Sequence, residues 1–180
     1  MKWFCSLIAS GLLLGALDFC LGANEPLNPQ LTIAPDQQIV IVGNTLAERM
    51  QHDGWLETLL QNRFPQQRLR VRNLGFSADA LTEQLRVTGF GSQDEWLQRT
   101  QADVIFAFFG FNESFAGEAG LEKFKADLKK FISDKRQHQY NGHAAPQIVL
   151  FSPIAHEDLG DPNLPDGREN NGRIKRYTEA

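Results

Sequence analysis

Residues 38–43, Gln-Ile-Val-Ile-Val-Gly, set four branched aliphatic side chains in a row with no polar break. Successive side chains of a strand face opposite sides. Such a run is therefore buried on both faces, the condition met by a parallel strand inside a helix-covered sheet. Residues 104–109 and 148–151 repeat the pattern. A further strand over 68–74 alternates Arg68, Arg70 and Arg72 with Leu69 and Val71, as expected where one side meets solvent.

Helical spacing fills the intervals. A first helix over 46–63 puts Leu46, Met50, Leu56, Leu59 and Leu60 on one face, with Gly54 weakening its middle and Pro65 beyond its end. A second is expected over 79–88, capped near Ser77 or Asp79, before Gly89-Phe90-Gly91 breaks the pattern and 94–100 gives another helical turn. The longest, over 118–138, turns Leu121, Phe124, Leu128, Phe131 and Ile132 inward and its lysines outward. Residues 157–172 form a polar Pro/Gly/Asn-rich loop, and 172–180 opens one more helix. Strands alternating with helices indicate a three-layer α/β/α sandwich with a mostly parallel sheet. Right-handed crossovers bring all the carboxyl ends of the strands to one edge, where open α/β sheets hold their ligands.

With 180 residues, 42% of them hydrophobic, the chain has material for one sizeable core. A formal charge of −4 argues against a nucleic-acid partner, which calls for a basic face. Lys2, the apolar stretch Leu7 to Leu14 and the small residues Gly22-Ala23 are expected to form a signal peptide over 1–23, followed by a Pro-containing linker over 24–36 and the main domain over 37–180. The apolar stretch is short for a membrane span. Cys5 and Cys20 both leave with that leader, so the exported domain would rely on its packed core without disulfides.

Three strand ends carry candidate chemistry: Gly43-Asn44-Thr45-Leu46, Asn73-Leu74-Gly75 and Gly110-Phe111-Asn112-Glu113. Their order and spacing resemble the SGNH hydrolases, the GDSL family of esterases and lipases, over about residues 37 to 155. The resemblance implies a flavodoxin-like sandwich, with Thr45 in the place of the nucleophilic Ser. It also implies an oxyanion hole made of the Thr45 N–H, the Gly75 N–H and the Asn112 amide. Asn44 and Glu113 each stand where the family has Asp. The family's last block, Asp-x-x-His, has no counterpart here, and the resemblance places it beyond residue 180. The sequence is accordingly expected to be the leading part of a longer protein, with the last strand and helix of the fold still to come.

The chemistry needs a nucleophile, a base and oxyanion donors. Thr45 has a hydroxyl, but its methyl stiffens χ1, and Thr is also an ordinary residue at a helix start. Gly75 leaves room for a substrate oxygen. Ser77 and Ser114 are replacement nucleophiles by position, though each fits better as a turn or cap residue. Among the histidines, His156 follows a strand end and is the candidate base; His52, His138 and His143 lie on a helix or loop. No metal-ligand spacing or Gly-rich phosphate loop is present, and no cofactor is expected.

Two readings follow: an exported esterase acting on a small ester such as an acetylated carbohydrate, or a catalytically silent module that binds a ligand or another domain through the same cleft. A Rossmann-type nucleotide binder is disfavoured, since the first strand leads into Gly-Asn-Thr-Leu and not into spaced glycines.

Overall fold

The computed structural model describes residues 30–180 apart from 86 and 165. The leader expected at 1–23 and the first part of the linker lie outside the described residues. The elements in chain order are β1 (Gln38–Gly43), α1 (Thr45–Asp53), α2 (Trp55–Arg63), β2 (Arg70–Asn73), α3 (Val87–Phe90), α4 (Gln93–Arg99), β3 (Val104–Phe108), α5 (Phe111–Ser114), α6 (Gly117–Arg136), β4 (Gln147–Phe151) and α7 (Arg168–Thr178). The strands lie in the order β2-β1-β3-β4, and every pair is parallel. Strand order reverses between β1 and β3, so the cleft beyond their carboxyl ends is the sheet's topological switch point.

The continuous apolar runs are explained by two cores. On one face Val40, Val42, Ile105 and Ala107 pack with Leu97 of α4, Phe131 of α6 and Tyr140. On the other, Ile39, Ile41, Phe106 and Phe108 meet Leu46, Ala47 and Met50 of α1 and Leu56 and Leu60 of α2. Burying one such aliphatic side chain stabilises the fold by about 1.5–3 kcal/mol. The central strands can thus be polar on neither side. Edge strand β2 keeps Arg70 and Arg72 exposed beside the half-buried Val71. The compact unit starts at Leu31. Ile33 packs on the second core, and the Gln147 side chain bonds both the N–H and the carbonyl of Thr32.

Three local expectations are corrected. The helix over 46–63 is two helices, parted at Gly54, whose φ of 64° closes α1 with an N–H to the Met50 carbonyl. The turn rotates Leu59 off the inner face, leaving it 62% exposed. No helix spans 79–88. The backbone of this stretch is claimed from a distance instead, since Leu81 N–H donates to Glu113 Oε1 and the Asp79 carbonyl accepts from Asn112 Nδ2. The single turn α3 follows, broken at Gly89. Finally, one lysine of α6 faces inward. Lys135 is only 7% exposed and donates to Asp94 Oδ1 at 2.7 Å, an oxygen that also accepts from the buried Tyr140 hydroxyl.

Gly43 sets the spacing of the central strands. Its φ is +136°, and a Cβ there would lie 2.3 Å from the Phe108 carbonyl oxygen. Gly43→Ala is expected to destabilise the protein by about 3 kcal/mol, combining a clash with backbone and a conformation an L side chain resists. A urea melt that shifts by less than about 1 kcal/mol would contradict this account.

Asp94 has a sign-determined pH signature. Burial alone would raise its pKa, but the Lys135 and Tyr140 hydrogen bonds and the Lys135 charge together hold it below the ordinary carboxylate value. A carboxyl depressed in the folded state contributes stability above its unfolded pKa and loses it as pH falls through the folded value. Asp94→Asn should therefore cost about 1 kcal/mol at neutral pH, a modest figure because the carboxylate is half exposed. The gap to wild type should narrow as pH falls through and below the ordinary carboxylate range, in melts run across acid pH.

Candidate active site

Asn44, not Thr45, caps α1. Its Oδ1 accepts from the Leu46 N–H at 3.1 Å, and its own N–H donates to the Phe108 carbonyl at 3.1 Å. This ties the start of α1 to the end of β3 and leaves Asn44 4% exposed. Thr45 becomes the first helical residue, with an exposed side chain at the positive end of the helix. Its Oγ1 accepts a long hydrogen bond, 3.4 Å, from the Ala78 N–H. Among the described residues no basic group accepts a hydrogen bond from that hydroxyl.

The second strand end wraps over this point. Leu74 N–H donates to Ile41 O and Phe76 N–H to Gly43 O, extending the ladder beyond β2. Asn73 bridges the two sides, as its Nδ2 donates to the Ala47 carbonyl at 2.6 Å and its Oδ1 accepts the Gly75 N–H at 2.8 Å. The Gly75 donor thus has a partner inside the protein. The need for glycine is also structural, because a Cβ at 75 would come within 2.7 Å of Ala47 Cβ and the Glu48 nitrogen. The room that the sequence suggested for substrate is filled by α1.

Residues 76–79 turn back on themselves, with Asp79 N–H donating to Phe76 O at 3.1 Å. Ala78 holds a φ of +70° at the third position of that turn, where a type II turn favours glycine. Such a conformation costs an alanine about 1 kcal/mol and persists where neighbours over-determine it. Here the neighbours come from the third strand end. Asn112 Nδ2 donates to the Asp79 carbonyl at 2.9 Å, leaving the second N–H of its amide for another acceptor. Glu113 accepts from Gly110 N–H with one oxygen and from Leu81 N–H with the other, both at 2.8 Å. Its longer arm relative to Asp spans the gap between the two loops. Thr45, Gly75 and Asn112 are therefore joined through one hydrogen-bonded loop, despite their separation in sequence.

The alternative nucleophiles have other employment. Ser77 Oγ donates to Glu48 Oε2 at 3.0 Å, and that bond is the main cause of the lowered Glu48 pKa. A carboxylate so stabilised is a weak base. Ser114 is fully buried, donates to the Phe111 carbonyl and accepts from Asn170 Nδ2. His156 is held on α7 by Asn171, which bonds both its N–H and its carbonyl, and its ring lies 5.2 Å from that of Phe111. Its Nε2 is buried with no protein partner. No hydrogen bond links His156 to Thr45, Ser77 or Ser114 among the described residues. His52 lies 3.5 Å from Glu48, and His138 stacks on Tyr140. Among the described residues no group of three or more His, Cys, Asp or Glu could hold a metal ion, and no helix is long and apolar enough to cross a membrane.

Beside Thr45 the switch point opens into a cavity of about 330 Å³. Its wall combines Leu46, Phe108, Phe111, Phe151, Pro153 and Ile154, with Asn44, Thr45, Arg49 and Ser152 supplying its polar atoms. Phe108 and Phe151 stack at 4.2 Å and an interplanar angle of 14°, which makes part of the wall flat and aromatic.

Neither a family model nor a curated protein matches the sequence. Solved structures do. A gut microbial diltiazem-metabolizing enzyme superposes with a TM-score of 0.56 at 18% identity, over 82% of this chain and 34% of its own. The chain thus spans about a third of that protein's length. An acetyl xylan esterase from Geobacillus stearothermophilus gives a TM-score of 0.54 at 15% identity, over 82% of this chain and 72% of its own. A G-D-S-L family protein from Desulfitobacterium hafniense gives 0.50 at 16% identity, over 80% and 69%. With its parallel sheet, its strand order and three motif-bearing strand ends at one edge, the chain has the fold of the SGNH/GDSL hydrolases.

Proposed function

We propose that the chain is an SGNH-type ester hydrolase module in which Thr45 takes the nucleophile's place. The observation that carries this reading is the position of Thr45: an exposed hydroxyl on the first residue of α1, at the switch point, at the mouth of an apolar cavity. Its oxygen would attack an ester carbonyl, the alcohol would leave with a proton, and water would then release the acid. The Thr45 N–H and the second Asn112 N–H are the donors for the oxyanion. Gly75, whose N–H is donated to Asn73, acts in this scheme by letting β2's loop close on α1. An acetylated carbohydrate belongs to the substrate class, and export follows from the leader expected at 1–23. The scheme also requires a base, which the described residues do not place at Thr45.

A second reading is favoured by one observation. The described residues offer Thr45 no base, and its hydroxyl accepts a backbone N–H. On that reading the cleft binds a ligand without turning it over, on a scaffold it shares with the esterases.

A fluorophosphonate probe separates the two, since it traps hydroxyls that are both activated and backed by oxyanion donors. Peptide mapping is expected to find the adduct on Thr45, and Thr45→Ser should increase labelling about tenfold by removing the methyl that restricts χ1. Asn112→Ala should lower labelling roughly 10²-fold or more, the usual effect of losing one oxyanion donor. Circular dichroism would confirm that the fold survives. No adduct on wild type or Thr45→Ser, beside a labelled control serine hydrolase, would leave the ligand-binding reading.

A further inference from the structure

We infer that Asn170 and Asn171, adjacent on α7, are positioning residues that keep the Asn112 side chain aimed. The inference rests on Asn112 serving as an oxyanion donor and names what holds it there. The helix that carries it, α5, is one turn of four residues, Phe111–Ser114. A helix so short has no stability of its own, and its orientation comes from what it touches. Toward the loop after β2 it is held by Asn112 and Glu113. Its other side is held from α7, through its first and last residues. The helix α7 is itself anchored on α6, since the Tyr177 hydroxyl donates to the Gly117 carbonyl at 2.9 Å and the Tyr177 ring lies 4.9 Å from that of Phe124.

Asn170 holds the last residue of the turn. Its Nδ2 donates to Ser114 Oγ at 3.1 Å, and Ser114 Oγ donates on to the Phe111 carbonyl at 2.6 Å. With Ser114 0% and Asn170 6% exposed, the pair is shut away from water. Asn171 reaches the first residue through His156. It clamps the His156 N–H at 2.7 Å and carbonyl at 3.1 Å, and the ring so fixed lies 5.2 Å from that of Phe111. The backbone at Gly167, just before α7, confines the ring further, because a Cβ there would lie 2.4 Å from its Cγ. Neighbouring side chains of one helix thus grip both ends of the turn whose second residue is Asn112.

Stability alone does not account for Asn170. Its Oδ1 is buried without a partner among the described residues, which costs free energy that a leucine of similar shape would not incur. Ser114 would keep the Phe111 carbonyl as a partner if Asn170 were replaced. What Asn170 adds is direction. A hydrogen bond fixes the distance and angle of α5 over α7, whereas an apolar contact would let it slide.

Aim and stability can be read separately in the full chain. Asn170→Leu should melt within about 3 °C of wild type, or higher. The Asn112 side-chain amide, assigned in a proton–nitrogen NMR spectrum by its loss in Asn112→Ala, should shift and broaden in Asn170→Leu. Fluorophosphonate labelling of Thr45 should fall about tenfold, the scale set by a misplaced group. Asn171→Ala acts one contact further away and should lower labelling about threefold. Arg173→Ala, exposed on the same helix, should change neither readout. In an Asn112→Ala background, Asn170→Leu should lower the residual labelling no further, because the group it aims is gone. An unmoved Asn112 signal, an equal loss in that background, or a melting drop beyond about 8 °C would overturn the assignment and leave Asn170 a packing residue. Labelling that both Asn170→Leu and Asn171→Ala leave intact would remove the positioning role and keep the hydrolase. Absence of labelling in every variant and in wild type, with the Asn112 signal moved as described, would remove the hydrolase reading and leave the positioning of Asn112 standing.

Discussion

The close approach of β1 to β3 at Gly43 governs everything at the ligand edge. Without a Cβ there, the Phe108 carbonyl can come near enough to accept the Asn44 N–H. That bond holds the residue whose side chain starts α1, and the helix start in turn presents Thr45 to solvent. A single glycine therefore links the packing of two central strands to the orientation of one hydroxyl. Phe108 takes part twice, with its carbonyl at the strand end and its ring in the cavity wall.

The loop after β2 acts as a belt across the three strand ends. It is fastened to α1 by Asn73, to the end of β1 by the Phe76 N–H, and to the turn after β3 by Asn112 and Glu113. Few of these bonds are local in sequence. They rigidify the belt from outside, which is how Ala78 is kept in a conformation that suits glycine better. A site held from several sides can keep its donors aimed without rearranging as a ligand arrives.

How much of this was legible depended on the range of the interaction. Ile39 to Val42 and Val104 to Phe108 announce buried parallel strands, because two-sided burial leaves a continuous mark in the sequence. The alternating arginines before Asn73 announce an edge strand for the converse reason. The stretch 79–88 suggested a helix with a cap near Ser77 or Asp79, but the partners that decide the backbone there, Asn112 and Glu113, lie some 30 residues further on. Lys135 looked like one more solvent-facing lysine, since its partner Asp94 sits 41 residues earlier in the chain. Gly75 was recognisable as a motif position, although its smallness serves helix packing. The cavity was the least legible feature, for its wall draws on three separate segments whose side chains meet only in the folded sheet.

Strand β4 has a consequence for handling the protein. Within the described residues β4 pairs only with β3, and its run Ile148-Val149-Leu150-Phe151 carries no charge, with Leu150 exposed. An outer edge of this kind lacks the lysine, proline or bulge by which sheets commonly discourage strangers. Backbone groups left unpaired on that edge would be a template on which another extended segment, a further strand of the same fold included, can add itself. Wherever that edge is left uncovered, concentrated stocks would be lost first to self-association along β4, and a lysine on its outward-facing side is the simplest guard against it.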